Sequence, residues 1–363
     1  MRSLIIQYLL FIITAFSINS CQYNDNYEKN TESNLNIILL IGDGMGLSQV
    51  SASYYYGNSE PNFSRFKEIG LINSSDVKRK ITDSGAAATA LACGKKTYNG
   101  IIGLDQDSTE IPNLTELLSL RGYSSGLIST SSITHATPAG FYAHVPSRGM
   151  QYDIAEQLLM SEVDFFAGGG TKWFTGREDG KDLFAELKNN GFTINQSIET
   201  STYLNSDNKY GFLLAEDGMP SMLDNRGSFL ADYTRLALDL FSKKGGSFFL
   251  MIEGSQIDWA AHGNDSEYLI AEMLDFDQTI GVAMDYAELK GNTLVIVLAD
   301  HETGGFTLGI DNGDYSKIKP VFATHGHTTT MVPVFAYGPG AENFKGIYQN
   351  TGIYHKIVEL ASK

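Results

Sequence analysis

The sequence predicts a three-layer α/β/α sandwich with a mostly parallel central sheet and small peripheral insertions. Short apolar segments rich in Ile, Val, Leu and Phe alternate with longer segments of helical character. The short segments are apolar at nearly every position, which is typical of strands covered by helices on both faces. At 363 residues the chain is long enough to bury a large core.

Six segments are predicted to be strands: 35–41, 125–129, 163–167, 247–252, 293–299 and 332–337. Helices are predicted at 113–120, 151–160, 180–189, 229–242 and 268–289, and in the Ala-rich run that follows Ser84. The more polar stretch 170–222 is interpreted as a peripheral insertion. Because no internal repeat and no Pro/Ser-rich linker follows residue 34, we expect one domain over residues 35–363.

The N-terminus has the pattern of a targeting segment. Arg2 precedes an apolar run over 4–16, which is short for a membrane span but typical of a signal peptide. We assign 1–20 to the signal peptide and 21–34 to a polar tether. Small residues before Cys21 resemble a bacterial lipoprotein processing site, so we expect an exported protein, periplasmic or lipid-anchored at Cys21. Plain secretion with an incidental cysteine is the alternative.

The net charge of -16 argues against broad binding to nucleic acid or anionic lipid. A bound divalent cation could still create a local site for an anion. Of the two cysteines, only Cys93 lies in the predicted folded body. Such a body has no intramolecular disulfide and depends on its core and on metals for stability.

Acidic residues and histidines follow three of the predicted strands, at 42–46, 253–262 and 300–305. In open α/β sheets, ligands bind beyond the carboxyl ends of the strands. Asp258 and His262 are spaced i, i+4, so one helix face can present both to a metal, although such pairs are also common on surfaces.

Four elements carry further potential metal ligands. Asp43 lies between glycines that allow close approach to a ligand, although Asp-Gly is also a common turn. Glu253 ends a buried strand, where an unpaired carboxylate is costly and a cation is the natural partner. Asp300 and His301 are adjacent, and His327 lies in a His-Gly-His-Thr segment. Mixed nitrogen and oxygen sets suit Zn²⁺, whereas an all-oxygen set suits Mg²⁺.

Asp83 and Ser84 open the Ala-rich helix. The N–H groups and the positive dipole end of a helix would stabilise an anion at Ser84, either an alkoxide or a bound phosphate. The same two residues are also an ordinary helix N-cap. Metal ligands elsewhere in the chain, which could ionise the serine, favour the catalytic interpretation.

Taken together, the motifs resemble those of the alkaline phosphatase family, in the compact form of marine and cold-living bacteria. They are Gly-Asp-Gly-Met-Gly (42–46), Thr-Asp-Ser-Gly-Ala-Ala-Ala-Thr-Ala (82–90), His-Ala-Thr-Pro (135–138), Ala-His-Val-Pro-Ser-Arg (143–148), Glu-Gly-Ser-Gln-Ile-Asp-Trp (253–259), Ala-Asp-His-Glu-Thr-Gly-Gly (299–305) and Gly-His-Thr (326–328). The resemblance implies hydrolysis of small phosphate monoesters through a phosphoserine on Ser84.

The resemblance also implies two Zn²⁺ ions and one Mg²⁺ ion. The ligands it implies are Asp258, His262 and His327 for one zinc, Asp43, Asp300 and His301 for the other, and Asp43, Thr137 and Glu253 for magnesium. Arg148 would hold the phosphate through its planar guanidinium, oriented by Asp83.

His135 and Trp259 stand where the best-known enterobacterial pattern has Asp and Lys, and we expect them at the substrate. The missing cation at Trp259 is expected to weaken phosphate binding, with plain packing as the alternative. His144, His325 and His355 are interpreted as structural or incidental.

The family also implies a homodimer, although only residues 302–326 occupy the place where larger members carry an extra interface domain. One alternative function is a phosphodiesterase or sulfatase of the same superfamily. Ser84-Gly85-Ala86 lacks the Cys/Ser-x-Pro-x-Arg setting that sulfatases need. The other alternative is a lipoprotein that binds metal or phosphate without turnover.

Overall fold

A computed structural model describes residues 35–197 and 204–363. The predicted signal peptide, Cys21 and the tether lie outside these residues. The strands are β1 (Asn36–Gly42), β2 (Glu68–Asn73), β3 (Ser124–Ser132), β4 (Phe165–Gly169), β5 (Phe192–Asn195), β6 (Lys209–Leu213), β7 (Phe248–Gly254), β8 (Thr293–Leu298), β9 (Glu302–Thr303), β10 (Thr307–Asp311), β11 (Asp314–Val321), β12 (His327–Thr328), β13 (Val332–Tyr337) and β14 (Gly346–Gln349).

The α-helices alternate with these strands along most of the chain. They are α1 (Leu47–Tyr56), α2 (Ser84–Cys93), α3 (Leu114–Ser119), α4 (Ala136–Ala139), α5 (Gln151–Leu159), α6 (Leu183–Asn189), α7 (Phe229–Lys244), α8 (Gln256–Gly263), α9 (Ser266–Lys290) and α10 (Thr351–Leu360). Each of the six predicted strands and each predicted helix overlaps an observed element, with ends that differ by a few residues.

The central sheet has ten strands in the order β14-β2-β13-β8-β1-β7-β3-β4-β6-β5. Neighbouring strands from β8 to β5 are parallel, and only β13 runs antiparallel to its neighbours. All residues of β1, β7 and β8 are buried. Because successive side chains of a strand point to opposite faces, this burial requires cover on both faces. The predicted three-layer α/β/α fold is therefore confirmed.

The polar stretch 170–222 does not lie wholly outside the sheet. Its segments β5 and β6 pair in parallel beyond β4 and extend the sheet at one edge. The stretch therefore lies at the periphery of the sheet, but it includes two strands that the sequence did not predict. They were missed because each has only four or five residues and lies between polar loops.

The register of the central strands aligns the ends that carry the acidic residues. Gly42 of β1 pairs with Gly254 of β7, and Ile41 pairs with Leu298 of β8. The residues that follow β1 and β8 and the last residues of β7 therefore meet at the same edge of the sheet. This edge holds the candidate site.

Helix α2 begins at its predicted N-cap. The side chain of Asp83 accepts a hydrogen bond from the N–H of Ala86, which caps the first turn, and Gly94 ends the helix in the left-handed conformation with φ of 70°. All ten residues of α2 are buried. Its small side chains allow close packing, since a Cβ built on Gly140 would lie 2.8 Å from Cβ of Ala88.

Residues 302–326 form β9 and a hairpin of β10 and β11, with no larger domain. Most side chains of β11 are exposed. Within 35–197 and 204–363, none of the helices is both long enough and apolar enough to cross a bilayer.

Candidate active site

Three carboxylates meet at the carboxyl ends of the central strands. Asp43 follows β1, Glu253 lies near the end of β7, and Asp300 follows β8, and all three are fully buried. Burial, together with the charges of Asp300, Asp258 and Glu253, raises the pKa of Asp43 well above its usual value. Several negative charges at one buried position call for a cation.

The first candidate metal group consists of Asp43, Asp300 and His301. Nε2 of His301 lies 3.5 Å from Oδ1 of Asp43 and 3.2 Å from Oδ2 of Asp300. These two carboxylate oxygens are buried and have no hydrogen-bond partner. Burial and the neighbouring His327 lower the pKa of His301 to about 3, so its ring is neutral.

Thr303 sets the tautomer of the His301 ring. The Thr303 hydroxyl donates to Oδ1 of Asp258 at 2.5 Å, so its oxygen is available to accept from Nδ1 of His301 at 3.2 Å. The proton of the neutral ring then sits on Nδ1, and the lone pair of Nε2 points towards Asp43 and Asp300. Thr303 lies in the motif at 299–305, but spacing along the chain does not reveal that it bridges two candidate metal groups.

The second candidate group consists of Asp258, His262 and His327. Nε2 of His262 and Nε2 of His327 lie 3.4 and 3.6 Å from Oδ1 of Asp258, and 3.1 Å from each other. Nδ1 of His327 lies 2.8 Å from the carbonyl oxygen of Thr82, and Nδ1 of His262 contacts the carbonyl oxygen of His325.

Carbonyl oxygens only accept hydrogen bonds, so both Nδ1 atoms carry a proton. The two Nε2 atoms, which face each other and Asp258, are therefore the ring atoms left to bind a metal. A divalent cation could be coordinated by these two atoms together with Oδ1 of Asp258.

The third candidate group consists of Asp43, His135 and Glu253. Nδ1 of His135 and Oε1 of Glu253 are buried without a hydrogen-bond partner. The Thr137 hydroxyl is likewise without a partner, although it lies close enough to Glu253 to lower that carboxyl's pKa. Burial outweighs this effect and raises the pKa of Glu253 to about 6. From the sequence, His135 is expected at the substrate and leaves the metal preference of the magnesium site open, and here His135 borders that metal group.

The unpartnered atoms test whether metal ions fit these groups. Each group joins carboxylate oxygens and imidazole nitrogens, and the candidate ligand atoms within a group lie within 4.8 Å of one another. Buried polar atoms are normally hydrogen-bonded, so three unpartnered carboxylate oxygens in the first and third groups, on Asp43, Asp300 and Glu253, are unusual. The nitrogen and oxygen donors suit zinc in the first two groups, and the residues therefore fit the cations.

Ser84 lies beside the first group. Its Oγ is 3.4 Å from Nε2 of His301 and 3.5 Å from Oδ2 of Asp43. Ser84 is also the first residue of α2, where backbone N–H groups and the helix dipole favour negative charge. Both features suit a hydroxyl that has to act as an anion.

Arg148 and Asp83 form an ion pair at the mouth of the site. Nη1 of Arg148 donates to Oδ2 of Asp83 at 3.0 Å, and Nη2 lies 3.3 Å from Nε2 of His135. Burial raises the pKa of Asp83, but the backbone N–H of Ala86, Arg148 and the N–H of Gly100 outweigh it and hold the pKa below the usual value. Asp83 is therefore a fixed anion that orients the guanidinium.

Trp259 lies half-buried on α8, next to Asp258. Its ring makes an edge-on contact with His135 at 5.9 Å between centroids. It also packs against Gly218, where a Cβ would come within 2.6 Å of the ring. These contacts fit both alternatives for Trp259, a position beside the substrate and a residue that only packs against its neighbours.

The remaining histidines differ in their surroundings. His144 bridges the Gly103 carbonyl at 2.8 Å and the Glu116 carboxylate at 3.0 Å, which is a structural role. His355 is exposed on α10. Nδ1 of His325 lies 2.9 Å from the carbonyl oxygen of His262.

Comparisons with known proteins agree with this geometry. Residues 34–320 match the family model described as Alkaline phosphatase. The chain is 31% identical over 427 residues to alkaline phosphatase 3 of Bacillus subtilis, covering 94% of this chain and 92% of the relative. The alkaline phosphatase of the Antarctic bacterium TAB5 superimposes with a TM-score of 0.87 at 49% identity, covering 92% of this chain and 99% of that protein.

A histidine-to-aspartate variant of the TAB5 protein with Mg bound in its M3 site has a TM-score of 0.86 and 48% identity, with 92% and 99% of the two chains covered.

Proposed function

The chain belongs to the alkaline phosphatase family and is a phosphoric monoester hydrolase, and we propose that it acts through a covalent phosphoserine intermediate on Ser84. The observation that carries this proposal is the position of Ser84 Oγ, within 3.5 Å of both Asp43 and His301 at the N-terminus of a buried helix.

We propose that two Zn²⁺ ions and one Mg²⁺ ion complete the enzyme. The proposed ligands are Asp258, His262 and His327 for one zinc, Asp43, Asp300 and His301 for the other, and Asp43, Thr137 and Glu253 for magnesium. When bound, such ions lower the pKa of a nearby hydroxyl and neutralise the charge that develops on the attacking and leaving oxygens. The unpartnered carboxylate oxygens of the first and third groups and the convergence of Asp258, His262 and His327 in the second group support this assignment.

Ser84 attacks the phosphorus of the substrate. A bond forms between its Oγ and phosphorus while the ester P–O bond breaks, and the leaving alkoxide takes up a proton and departs as the alcohol. Water then attacks the phosphoserine, which releases inorganic phosphate and restores the serine hydroxyl. The N–H groups at the start of α2 stabilise negative charge at the Ser84 oxygen in both steps.

Arg148 binds and orients the phosphoryl group. Its planar guanidinium matches two phosphate oxygens, and the ion pair with Asp83 limits the directions in which it can point. Asp83 immediately precedes Ser84, so the carboxylate that orients Arg148 and the proposed nucleophile are fixed to the same helix end.

His135 distinguishes the third group from an all-oxygen set, because it places an imidazole beside Asp43 and Glu253. The TAB5 variant with bound Mg carries an aspartate in place of a histidine. We propose that this chain binds Mg²⁺ there but holds it more weakly than an all-oxygen site would, because imidazole suits zinc better than magnesium.

Trapping of the phosphoenzyme tests the proposed mechanism. With radiolabelled substrate and an acid quench, the wild-type enzyme should retain label, and Ser84→Ala should retain none and lose about three orders of magnitude of turnover or more. Ser51→Ala, on α1, serves as the control and should label like wild type. Near-full turnover in Ser84→Ala would refute the intermediate. Phosphate binding without chelator-sensitive hydrolysis would favour the non-catalytic alternative.

We also propose that the protein is exported, lipidated at Cys21 and homodimeric. Export and lipidation rest on Arg2, the apolar run and the residues before Cys21. The exposed hairpin of β10 and β11, with Tyr315 94% exposed, offers a surface for a second copy. A mature N-terminus without a diacylglyceryl group, seen by mass spectrometry, would exclude lipidation, and light scattering would decide the oligomeric state.

A further inference from the structure

His262 is the most exposed member of the second candidate metal group. Its side chain is 40% exposed, compared with 0% for His301 in the first group. It lies in the last turn of α8, just before the left-handed residue Asn264 that ends the helix. Packing alone therefore leaves the His262 ring free to rotate, so its orientation requires another restraint.

The backbone of His325 supplies one restraint. Its carbonyl oxygen accepts a hydrogen bond from Nδ1 of His262. This bond places the ring proton on Nδ1 and turns Nε2 towards Asp258 and His327. A metal-binding imidazole is usually fixed in this way, through its second nitrogen.

The side chain of His325 supplies the second restraint, in the opposite direction. Its Nδ1 lies 2.9 Å from the carbonyl oxygen of His262 and donates to it. That carbonyl belongs to the last turn of α8, where helical partners are missing. The two residues thus exchange hydrogen bonds, each from its ring to the other's backbone, although they are 63 positions apart.

Asn264 strengthens the same connection. In the orientation that satisfies both of its polar atoms, its side-chain amide donates to the carbonyl oxygens of Thr324 at 2.8 Å and Ala261 at 2.9 Å. The amide therefore joins the end of α8 to the segment that precedes His327.

We propose that the His325 side chain is a positioning residue for the metal site of Asp258, His262 and His327. By binding the end of α8, the ring holds its own backbone carbonyl against His262 and keeps His327, two residues further on, opposite that ring. The inference rests on the proposed function, because it concerns one of the metal sites assigned there. It assigns His325 no contact with the metal or with substrate.

The test measures Zn²⁺ binding in the absence of substrate. Metal-free protein is titrated with Zn²⁺ against a competing chelator of known affinity, and His262→Ala identifies which zinc belongs to this site. His325→Ala should lower the zinc affinity of this site by about 10- to 100-fold and leave the zinc affinity of the other site unchanged. His325→Asn, whose amide N–H can replace Nδ1 as the donor to the His262 carbonyl, should restore most of the affinity.

His355→Ala is the matched control, since it removes an exposed histidine far along the chain on α10. Thermal unfolding of the metal-free variants shows whether each one folds, and the exposed position of His325 leads us to expect the wild-type midpoint. Unchanged zinc affinity in His325→Ala would overturn the proposal, as would a loss that His325→Asn does not rescue. Failure of the wild-type protein to bind zinc would instead contradict the proposed function.

Discussion

Arg148 donates a hydrogen bond of 3.0 Å to Asp83, and Asp83 is the N-cap of the helix that begins with Ser84. One carboxylate therefore fixes both the proposed phosphate-binding guanidinium and the start of the helix that carries the proposed nucleophile. Its two oxygens divide these tasks, since Oδ1 accepts from the N–H groups of Ala86 and Gly100 while Oδ2 accepts from Arg148.

Two substitutions at Asp83 should separate these tasks. Asp83→Asn keeps a good N-cap but removes the charge that holds Arg148, so we expect KM and the inhibition constant for phosphate to rise about tenfold with an almost unchanged unfolding temperature. Asp83→Ala should show the same kinetic loss and also cost about 1 kcal/mol of stability. Steady-state kinetics and thermal unfolding give both quantities. Wild-type phosphate affinity in Asp83→Asn would contradict the role of the ion pair.

Thr303 should be needed for zinc binding at both zinc groups, because its hydroxyl bridges His301 and Asp258. Thr303→Val keeps the shape of the side chain but removes the bridge, and we expect zinc affinity to fall about 10- to 100-fold. Thr303→Ser retains a hydroxyl and is the control. Chelator competition measures the change, and equal affinities in the Val and Ser variants would show that the bridge is dispensable.

Glu253 should make the metal-free protein less stable as pH rises from about 4.5 to 6. Burial raises the pKa of Glu253 from 4.5 to about 6 in the folded chain. Between these values the folded state holds a proton that the unfolded state has released, so the Glu253 contribution to the free energy of unfolding decreases with increasing pH. Asp43 and Asp300, whose pKa values are also raised by burial, act in the same direction. His135 and His301, whose pKa values burial lowers to about 3, act in the opposite direction. Comparison of a Glu253 variant with the wild type isolates the Glu253 contribution.

Urea unfolding with a chelator present, from pH 4.5 to 8, tests this dependence. Glu253→Gln should remove part of the decrease, on the order of 1–2 kcal/mol. Parallel pH profiles for the variant and the wild type would show that Glu253 is not the cause. Addition of Zn²⁺ and Mg²⁺ at pH 8 should restore stability to the wild type.

Trp259 should influence the release of phosphate. Trp259→Lys introduces a cation beside His135 and Asp258, so we expect the inhibition constant for phosphate to decrease by about tenfold at low salt. Trp259→Phe keeps an aromatic ring and is the control for packing against Gly218. Similar inhibition constants in both variants would favour the plain packing role.

Local sequence patterns were sufficient for much of the fold and for part of the site. Continuous apolar segments predicted the parallel strands, and the residues after β1, β7 and β8 predicted where ligands would gather. The N-cap of α2 was also readable, because Asp83, Ser84 and the alanines lie within one helical turn of each other. The resemblance of the motifs added the family, and the comparisons confirm it.

Only the tertiary structure decided how distant segments complete the site. Thr303 bridges two metal groups, His135 turns Nδ1 towards Glu253, and His325 exchanges hydrogen bonds with His262. These relationships join residues that lie 45 to 118 positions apart, so spacing along the chain carries no information about them. Sequence determines which side chains share a helix or a strand end. Strand register and helix packing then determine, to within an ångström, which ring nitrogen faces which oxygen.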